Sequence, residues 1–475
     1  MIKKLAISFA VTVATLGIFA CNSDVEPVEQ TATCAAVKTF YLEENDKVLK
    51  NLDSIFFAID LIRGEIYNAD SLPFGTKVTH LVPIITTFDG ASVAELTVAR
   101  AGKSDTIYNY LTNSTDSIDF TNPVKLRLVS PNGLVERNYT IHVNVHKLKS
   151  DSLTWSRLER QSLPTLFQPH MVDAQHTVNQ CTALYCLTRS GSEYCIASGD
   201  GLGEWNNQAV SFTFTPDIAS FRATTDALYI LSDDGTLYSS TNGSEWTSTS
   251  AKYDFLYGGY GTTLIGSLKT DEGWKIQSYP DMTLTTLPEG MPVGGTSNPV
   301  EYSFSMSSNP QIIIVGGRKA DNTLSNAAWG FDGNNWAKIS KHNLPVALED
   351  VAVAPYYTFT TSSSWNAERY ATLIALGGRK ADGSVSSKVY ISNNYGYTWA
   401  EASSLMQLPS YVPAMYDSQA FVVTKTLDSG SRASKPIESW ECPYIYLFGG
   451  IGSNGQLHNT VWCGVINRLS FKPIQ

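Results

Sequence analysis

Three pairs of adjacent glycines, Gly316-Gly317, Gly377-Gly378 and Gly449-Gly450, constrain this chain more than any other feature. Each follows an apolar run, "QIIIVGG", "TLIALGG" and "YIYLFGG". Gly317 to Trp329, Gly378 to Tyr390 and Gly450 to Trp462 are each 12 positions apart. An internal period of this kind means a propeller or a solenoid, in which one supersecondary unit is stacked several times. A buried strand of four or five apolar residues must end where the chain turns, and paired glycines permit positive φ and close packing without a Cβ. A polar loop follows, then a second strand whose aromatic packs between neighbouring sheets.

The unit continues outward. Trp336 follows Trp329 and Trp399 follows Tyr390, and the pairs Leu344-Pro345 and Leu408-Pro409 come next. Weaker copies lie upstream, ending at Trp205 after "GDGLGEW" and at Trp246, with Leu284 standing where a third tryptophan would be. Outer strands at Trp205, Trp246, Leu284, Trp336, Trp399 and near Leu469 predict six blades over residues 151–475. Residues 153–164, "LTWSRLERQSLP", repeat the outer-strand pattern before any blade is complete. They are predicted to join the last blade, which closes the ring and removes an exposed edge.

Residues 35–148 form a separate unit. In "PVKLRLVSPNGLVERNYTIHVNV" the residues Val124, Leu126 and Leu128 share one face, Pro131-Asn132-Gly133 turns, and Tyr139, Ile141, Val143 and Val145 share one face again. That alternation is a hairpin. With "SIFFAIDLIRGEIYN", "THLVPIITTF" and "AELTVAR" it makes about seven short strands, which suits a β-sandwich. His142 and His146 would be a metal pair on a helix; on this strand they share an outward face with Asn144 and are expected to be solvated.

The first 20 residues read as a processing segment. Lys3 and Lys4 precede an apolar run of 16 residues, Leu5 to Ala20, which is short for a membrane span and right for a signal peptide. The polar, acidic and proline-containing residues 21–34 read as a flexible tether. A net charge of −10 argues against nucleic acid as a partner, since phosphate binding needs a basic face. Cys34, Cys181, Cys186, Cys195, Cys442 and Cys463 are permitted to bridge in an exported chain, and bridges and buried thiols both stay open.

Several of these stretches resemble known families. Ile18-Phe19-Ala20-Cys21 resembles a bacterial lipobox, which implies a lipid on Cys21 and, with Asp24 and Glu26 behind it, export to the outer membrane or cell surface as in Bacteroides-type lipoproteins. The glycine pairs with their spaced Tyr and Trp look like kelch repeats. "STNGSEW" and "SNNYGYTW" are similar to the structural Asp-box turns of sialidase-type propellers. The stretch from "GEIYNADSLPFG" to "NYTIHVNV" resembles the Ig-like, cadherin-like domains of surface lipoproteins, where such a domain is a spacer. The fold class expected is therefore all-β, an Ig-like β-sandwich followed by a six-bladed kelch-like β-propeller. The resemblance to a Bacteroides-type lipoprotein family implies location and fold but no reaction.

Candidate functional residues come from the repeats. "GGRKAD" occurs twice, so Arg318, Lys319, Asp321 and Arg379, Lys380, Asp382 occupy equivalent loops, which project on one face of a ring and can converge. Arginine there suits a carboxylate-bearing ligand. Trp205 is a candidate for stacking on sugar. His170, His176, His342 and His458 show no ligand spacing, and neither a nucleophile elbow nor a nucleotide loop is present. Glu349 and Asp350, adjacent on an expected strand, would point to opposite faces. The expectation is a non-catalytic binding module without cofactor or metal, for a glycan or an envelope protein partner. A propeller enzyme acting on polysaccharide, sialidase- or lyase-like, is the alternative, and a structural envelope protein a third. A deep polar pocket on the axis with two carboxylates or three arginines would favour the enzyme; a flat or plugged face would favour binding or structure.

Overall fold

The computed structural model describes residues 33–467 apart from 101, 150, 182, 202, 303–310, 360–366 and 429–438. The expected signal segment, Cys21 with nearly all of the tether, and the outer strand expected near Leu469 lie outside the described residues. Two units are resolved by their internal contacts, Met1–Lys149 and Ser150–Gln475. Both are built from strands, with only three single-turn 3-10 segments among the described residues.

In the first unit the strands run Phe57–Asp60, Glu65–Asn68, Glu136–His142, Val124–Val129, Val93–Val98, Thr106–Asn109 across a six-stranded sheet. Val37–Leu42 and Pro83–Thr87 make a separate two-stranded sheet. The hairpin read from alternation pairs Val124 with Ile141 and Leu126 with Tyr139, all of them buried. Phe40, Leu42 and Ile85 of the small sheet share one core with these residues. Glu65–Asn68 lies parallel to Glu136–His142, a pairing that sequence neighbours alone do not announce. His142 and His146 are half-buried and Asn144 is exposed.

The second unit is six consecutive four-stranded antiparallel sheets. Their first strands are Ala174–Gln180, Pro216–Ala223, Phe255–Tyr260, Val300–Tyr302, Ala352–Phe359 and Gln419–Asp428. The sixth sheet is completed on its outer side by Ser152–Ser162, which pairs with Thr460–Asn467. The outer position counted near Leu469 is therefore held by a strand from the start of the unit, because pairing the two chain ends buries the edge that either would leave open.

Six hydrophobic clusters explain the arrangement. Each joins one sheet to the next, and one joins the sixth to the first through Tyr446, Phe448 and Val461 against Leu184, Cys186 and Ala197. Strand Gln311–Val315 of the fourth sheet shows why the runs before the glycines carry no polar face. Ile312 and Ile314 pack toward the third sheet, and Ile313 and Val315 toward the fifth. A strand sandwiched on both sides must be apolar at every position, each side chain contributing about 1.5–3 kcal/mol of burial. Trp329, Tyr390 and Trp462, the aromatics of the 12-residue interval, all lie in these inter-sheet clusters. The six described cysteines are free thiols. Cys463 stands opposite Tyr446 rather than Cys442, so the register keeps those two apart.

Candidate functional site: the axial end of the six sheets

Each glycine pair ends a second strand; at the first two pairs the next sheet's backbone crosses over it, and at the third the Gln175 side chain of the next sheet does. Gly316 and Gly377 have φ of 69° and 67°, and a Cβ on them would strike the carbonyl oxygens of Leu348 and Met415. The following glycines donate to those same oxygens, Gly317 N–H to Leu348 O at 2.8 Å and Gly378 N–H to Met415 O at 2.9 Å. No side chain fits here, which is why the pairs recur.

The residue after each pair then bridges to the segment leading into its own sheet. Arg318 pairs with Gly294, Arg379 with Glu349 and Ile451 with Tyr416. The next residue of each leading segment is left-handed: Gly295 at φ 61°, Asp350 at 50° and Asp417 at 53°. These three are chained, Asp350 N–H donating to Gly295 O at 2.7 Å and Asp417 N–H to Asp350 O at 2.9 Å. The strand alternation expected for Glu349 and Asp350 does not govern them, because Asp350 is left-handed rather than extended.

Both candidate arginines converge on one carboxylate. Arg318 Nη2 donates to Glu349 Oε2 at 2.5 Å and Arg379 Nε to Glu349 Oε1 at 2.7 Å. Glu349 is buried, with 5% of its side chain exposed, whereas the arginines keep 41% and 37%. Arg379 also lies over the Tyr416 ring, 4.7 Å from its centroid. The other residues of the two hexapeptides serve the loops. Asp321 accepts from the Thr323 N–H and hydroxyl, and Asp382 from those of Ser384. Lys319 and Lys380 are half-buried. Trp205 stands apart, packed against Gly199 with its edge toward Phe448 in the cluster between the first and sixth sheets.

Two cavities lie along the axis, with Arg222 and Asn298 in the walls of both. The wider, about 570 Å³, is lined by residues in or beside the first strands, among them Val178, Thr224, Gly259, Val300, Val353 and Val423. The narrower, about 130 Å³, is lined by His176 and Arg222 of the first two sheets and by Asn298, Asp350 and Asp417 from the segments leading into the last three. Every sheet contributes to it, so a group placed there is enclosed by the whole ring. Arg222 is buried and donates to the backbone, from Nε to Leu256 O at 3.0 Å and from Nη1 to Ala219 O and Phe221 O at 2.9 and 2.8 Å. Its Nη1 also lies 2.9 Å from His176 Nε2.

This environment shifts its acids strongly. Burial raises Asp417 to about 8, with Asp350 adding to the rise and Arg222 opposing it. Asp350 is raised to about 6 by burial, then by the Glu349 charge, against the pull of Arg379 and Arg318. His176 is held well below its ordinary value by burial and then by Arg222, so it is neutral. Among the described residues no group of three or more His, Cys, Asp and Glu is placed to hold a metal ion.

Sequence reasoning found Arg318 and Arg379 through their repeat and missed His176, Arg222 and Asp417. These come from three different sheets and share no motif. One signal was available: Asp350 and Asp417 each stand shortly before a first strand, where the fourth sheet has Gly295.

The family described as DUF6242 beta propeller domain matches residues 149–474, and the one described as the DUF6242 N-terminal domain, a domain of unknown function, matches residues 30–143. No curated protein matches the chain. Among solved structures, that of YjhT is similar at 11% identity and a TM-score of 0.31, covering 63% of this chain and 96% of that one. YCF48 bound to D1 peptide is similar at 11% identity and a TM-score of 0.32, covering 67% of this chain and 98% of that one. Likenesses this distant transfer no role.

Proposed function

The chain belongs to the DUF6242 family, joining that family's N-terminal domain to its β-propeller, and from that premise we propose a non-catalytic binding module of the cell envelope. In this reading Cys21 carries a lipid that holds the protein at the outer membrane or cell surface. The N-terminal unit is an Ig-like spacer, and the six sheets are six kelch-like blades. The ligand is a glycan or a protein partner bearing carboxylates. One observation carries the reading: two guanidinium groups from adjacent sheets are fixed by the single buried carboxylate of Glu349 while each keeps more than a third of its side chain exposed. An arginine pair held rigid before the ligand arrives loses little entropy on binding, and arginine matches carboxylate geometry with two donors.

A glycan-array assay on residues 22–475 tests this, comparing the native chain with R318A/E349Q/R379A. Glu349 is changed together with the arginines because the double alanine variant would strand its buried charge. Binding to acidic glycans that disappears in the triple variant supports the rim as the recognition site. Binding that survives removes the rim from the reading, and no binding to any glycan redirects the search to envelope proteins.

The polysaccharide-enzyme alternative draws on Asp350 and Asp417, two carboxyl groups in one axial cavity. Its size speaks against it, because about 130 Å³ is well below the roughly 300–1,000 Å³ of an ordinary ligand pocket.

A further inference from the structure

The first unit exposes apolar side chains at the end where the chain enters it. The registers of its six-stranded sheet bring three connections to that end. Asp60 pairs with Glu65, so residues 61–64 turn there. Val129 pairs with both Glu136 and Val93, which places residues 130–135 beside the approach through residues 88–92. Glu65–Asn68 runs parallel to Glu136–His142, and Arg137 Nη1 donates to Leu61 O at 3.2 Å, so the two turns share one end.

Ile62 and Leu134, 98% and 83% exposed, are the most exposed large apolar residues among those described, and each sits in one of these turns. Leu61, Phe88 and Val135 are exposed at the same end. The turns themselves do not ask for apolar side chains. Asp60 Oδ1 accepts from the Ile62 and Arg63 N–H groups, both at 2.9 Å, and Gly64 takes the positive φ of 66°. Asn132 Oδ1 accepts from the Leu134 N–H at 3.1 Å, and Gly133 takes a φ of 74°. Asp, Asn and Gly shape both turns, as they do elsewhere. The exposed Ile62 and Leu134 side chains are not needed for that.

Exposed apolar groups gathered in one place mark contact with a partner or a membrane. The path of the chain decides between them. Cys34 N–H donates to Asp89 Oδ2 at 3.0 Å and Phe88 N–H to Ala36 O at 3.2 Å, so the chain joins the unit beside Phe88. Cys21 stands 13 residues earlier, a reach of at most about 45 Å. The chain leaves from the opposite end of the unit, where Val145 bridges to Leu72. Charge is not what the entry end offers, because Asp60 lies 3.9 Å from Arg63 and Glu136 is paired with Arg127 at 2.9 Å.

We propose that the entry end of the first unit inserts into the bilayer surface, with Ile62, Phe88 and Leu134 at the boundary between headgroups and acyl chains. The proposal rests on the reading of Cys21 as the lipidated residue, since that lipid brings this end, rather than the other, to the membrane. A lipid on a tether fixes one point and leaves the body free to turn. Apolar turns at the root of the tether fix its orientation as well, with a strength that follows the apolar area they bury.

Flotation of residues 22–475 with vesicles of phosphatidylcholine and phosphatidylethanolamine tests this without the native lipid. The native chain is expected to float at high lipid concentration, with little dependence on salt. I62S/L134S should lower the partition coefficient at least tenfold. F56S/F74S, which removes exposed side chains from the opposite end, should leave it within twofold. In a second arm an N-terminal histidine tag and a nickel-chelating lipid replace the anchor, and hydrogen exchange at residues 61–64 and 130–135 should slow at least threefold on the vesicle. Partitioning that I62S/L134S leaves unchanged overturns the proposal, as does a native chain that neither floats untethered nor slows in exchange when tethered. A dimer in solution that the double variant abolishes, without vesicle binding, overturns it in favour of a second copy of the chain. Palmitate labelling in cells, native chain against Cys21→Ala, tests the premise separately. Absence of label overturns the anchor and the proposal with it; label together with failed vesicle arms overturns the proposal alone.

Discussion

The fourth sheet and the two that follow it enter their first strands through the same backbone, yet they fill it differently. All three leading segments bridge to the residue after a glycine pair and then place one residue at positive φ. In the fourth sheet that residue is Gly295; in the fifth and sixth it is Asp350 and Asp417. Glycine takes this conformation without strain, whereas aspartate is among the few other residues that tolerate it. The difference separates scaffold from chemistry. Where the position needs only a turn, glycine serves; where a carboxyl group faces the axis, the chain accepts strain together with a buried acid.

The comparison breaks hardest at Glu349, which stands where the fourth sheet has Gly294 and the sixth has Tyr416. Glu349→Ala should lower stability by about 2–4 kcal/mol in urea unfolding, since it removes two charge-assisted hydrogen bonds and leaves a gap where a buried side chain stood, while the half-exposed guanidinium groups turn to water. A loss near zero would mean that the arginines do not depend on it. Next comes Gly377→Ala, expected to cost roughly 2–4 kcal/mol because the new Cβ meets Met415 O at a left-handed position. Gly383→Ala is the control: it is equally left-handed, at φ 82°, with nothing near its Cβ, and should cost only about 1–2 kcal/mol.

Asp417→Asn sharpens the comparison through pH. A carboxyl whose folded pKa lies above its unfolded value binds a proton more tightly when folded, so its contribution to stability falls as pH rises from about 4 toward 8. Asparagine has no such dependence. The variant should therefore gain on the native protein by about 3–4 kcal/mol between pH 5 and pH 8, followed by thermal unfolding at each pH. A constant difference across that window would mean that Asp417 is ionised throughout. The smallest effect belongs to Asp350→Gly, which installs the residue of the fourth sheet. Relief of strain and loss of a buried acid oppose the greater freedom of glycine when unfolded, and the net change should be under about 1 kcal/mol.

Much of this was legible in the residues. The 12-residue interval located Trp329, Tyr390 and Trp462, and the outer-strand pattern at residues 153–164 anticipated the strand that pairs with Thr460–Asn467. The paired Arg318 and Arg379 were visible because a repeat places them equivalently. Their common partner was not, since Glu349 lies outside the repeated hexapeptide and was read as a strand residue. His176 looked like an isolated histidine, and no motif singled out Arg222. Neither has a sequence neighbour that explains it, because their partners lie on other sheets.

The sequence by itself determined the β architecture of both units and the scaffold role of the glycine pairs. Apolar runs at every position require burial on both faces, and adjacent glycines mark places where no Cβ can fit; both are local properties. Only the tertiary structure decided that the first strands and the segments leading into them bring His176, Arg222, Asp350 and Asp417 around one small cavity. A carboxyl group's chemistry depends on the charges and the water around it. In a closed ring those neighbours come from sheets far apart in the chain, at distances that no spacing in the sequence encodes.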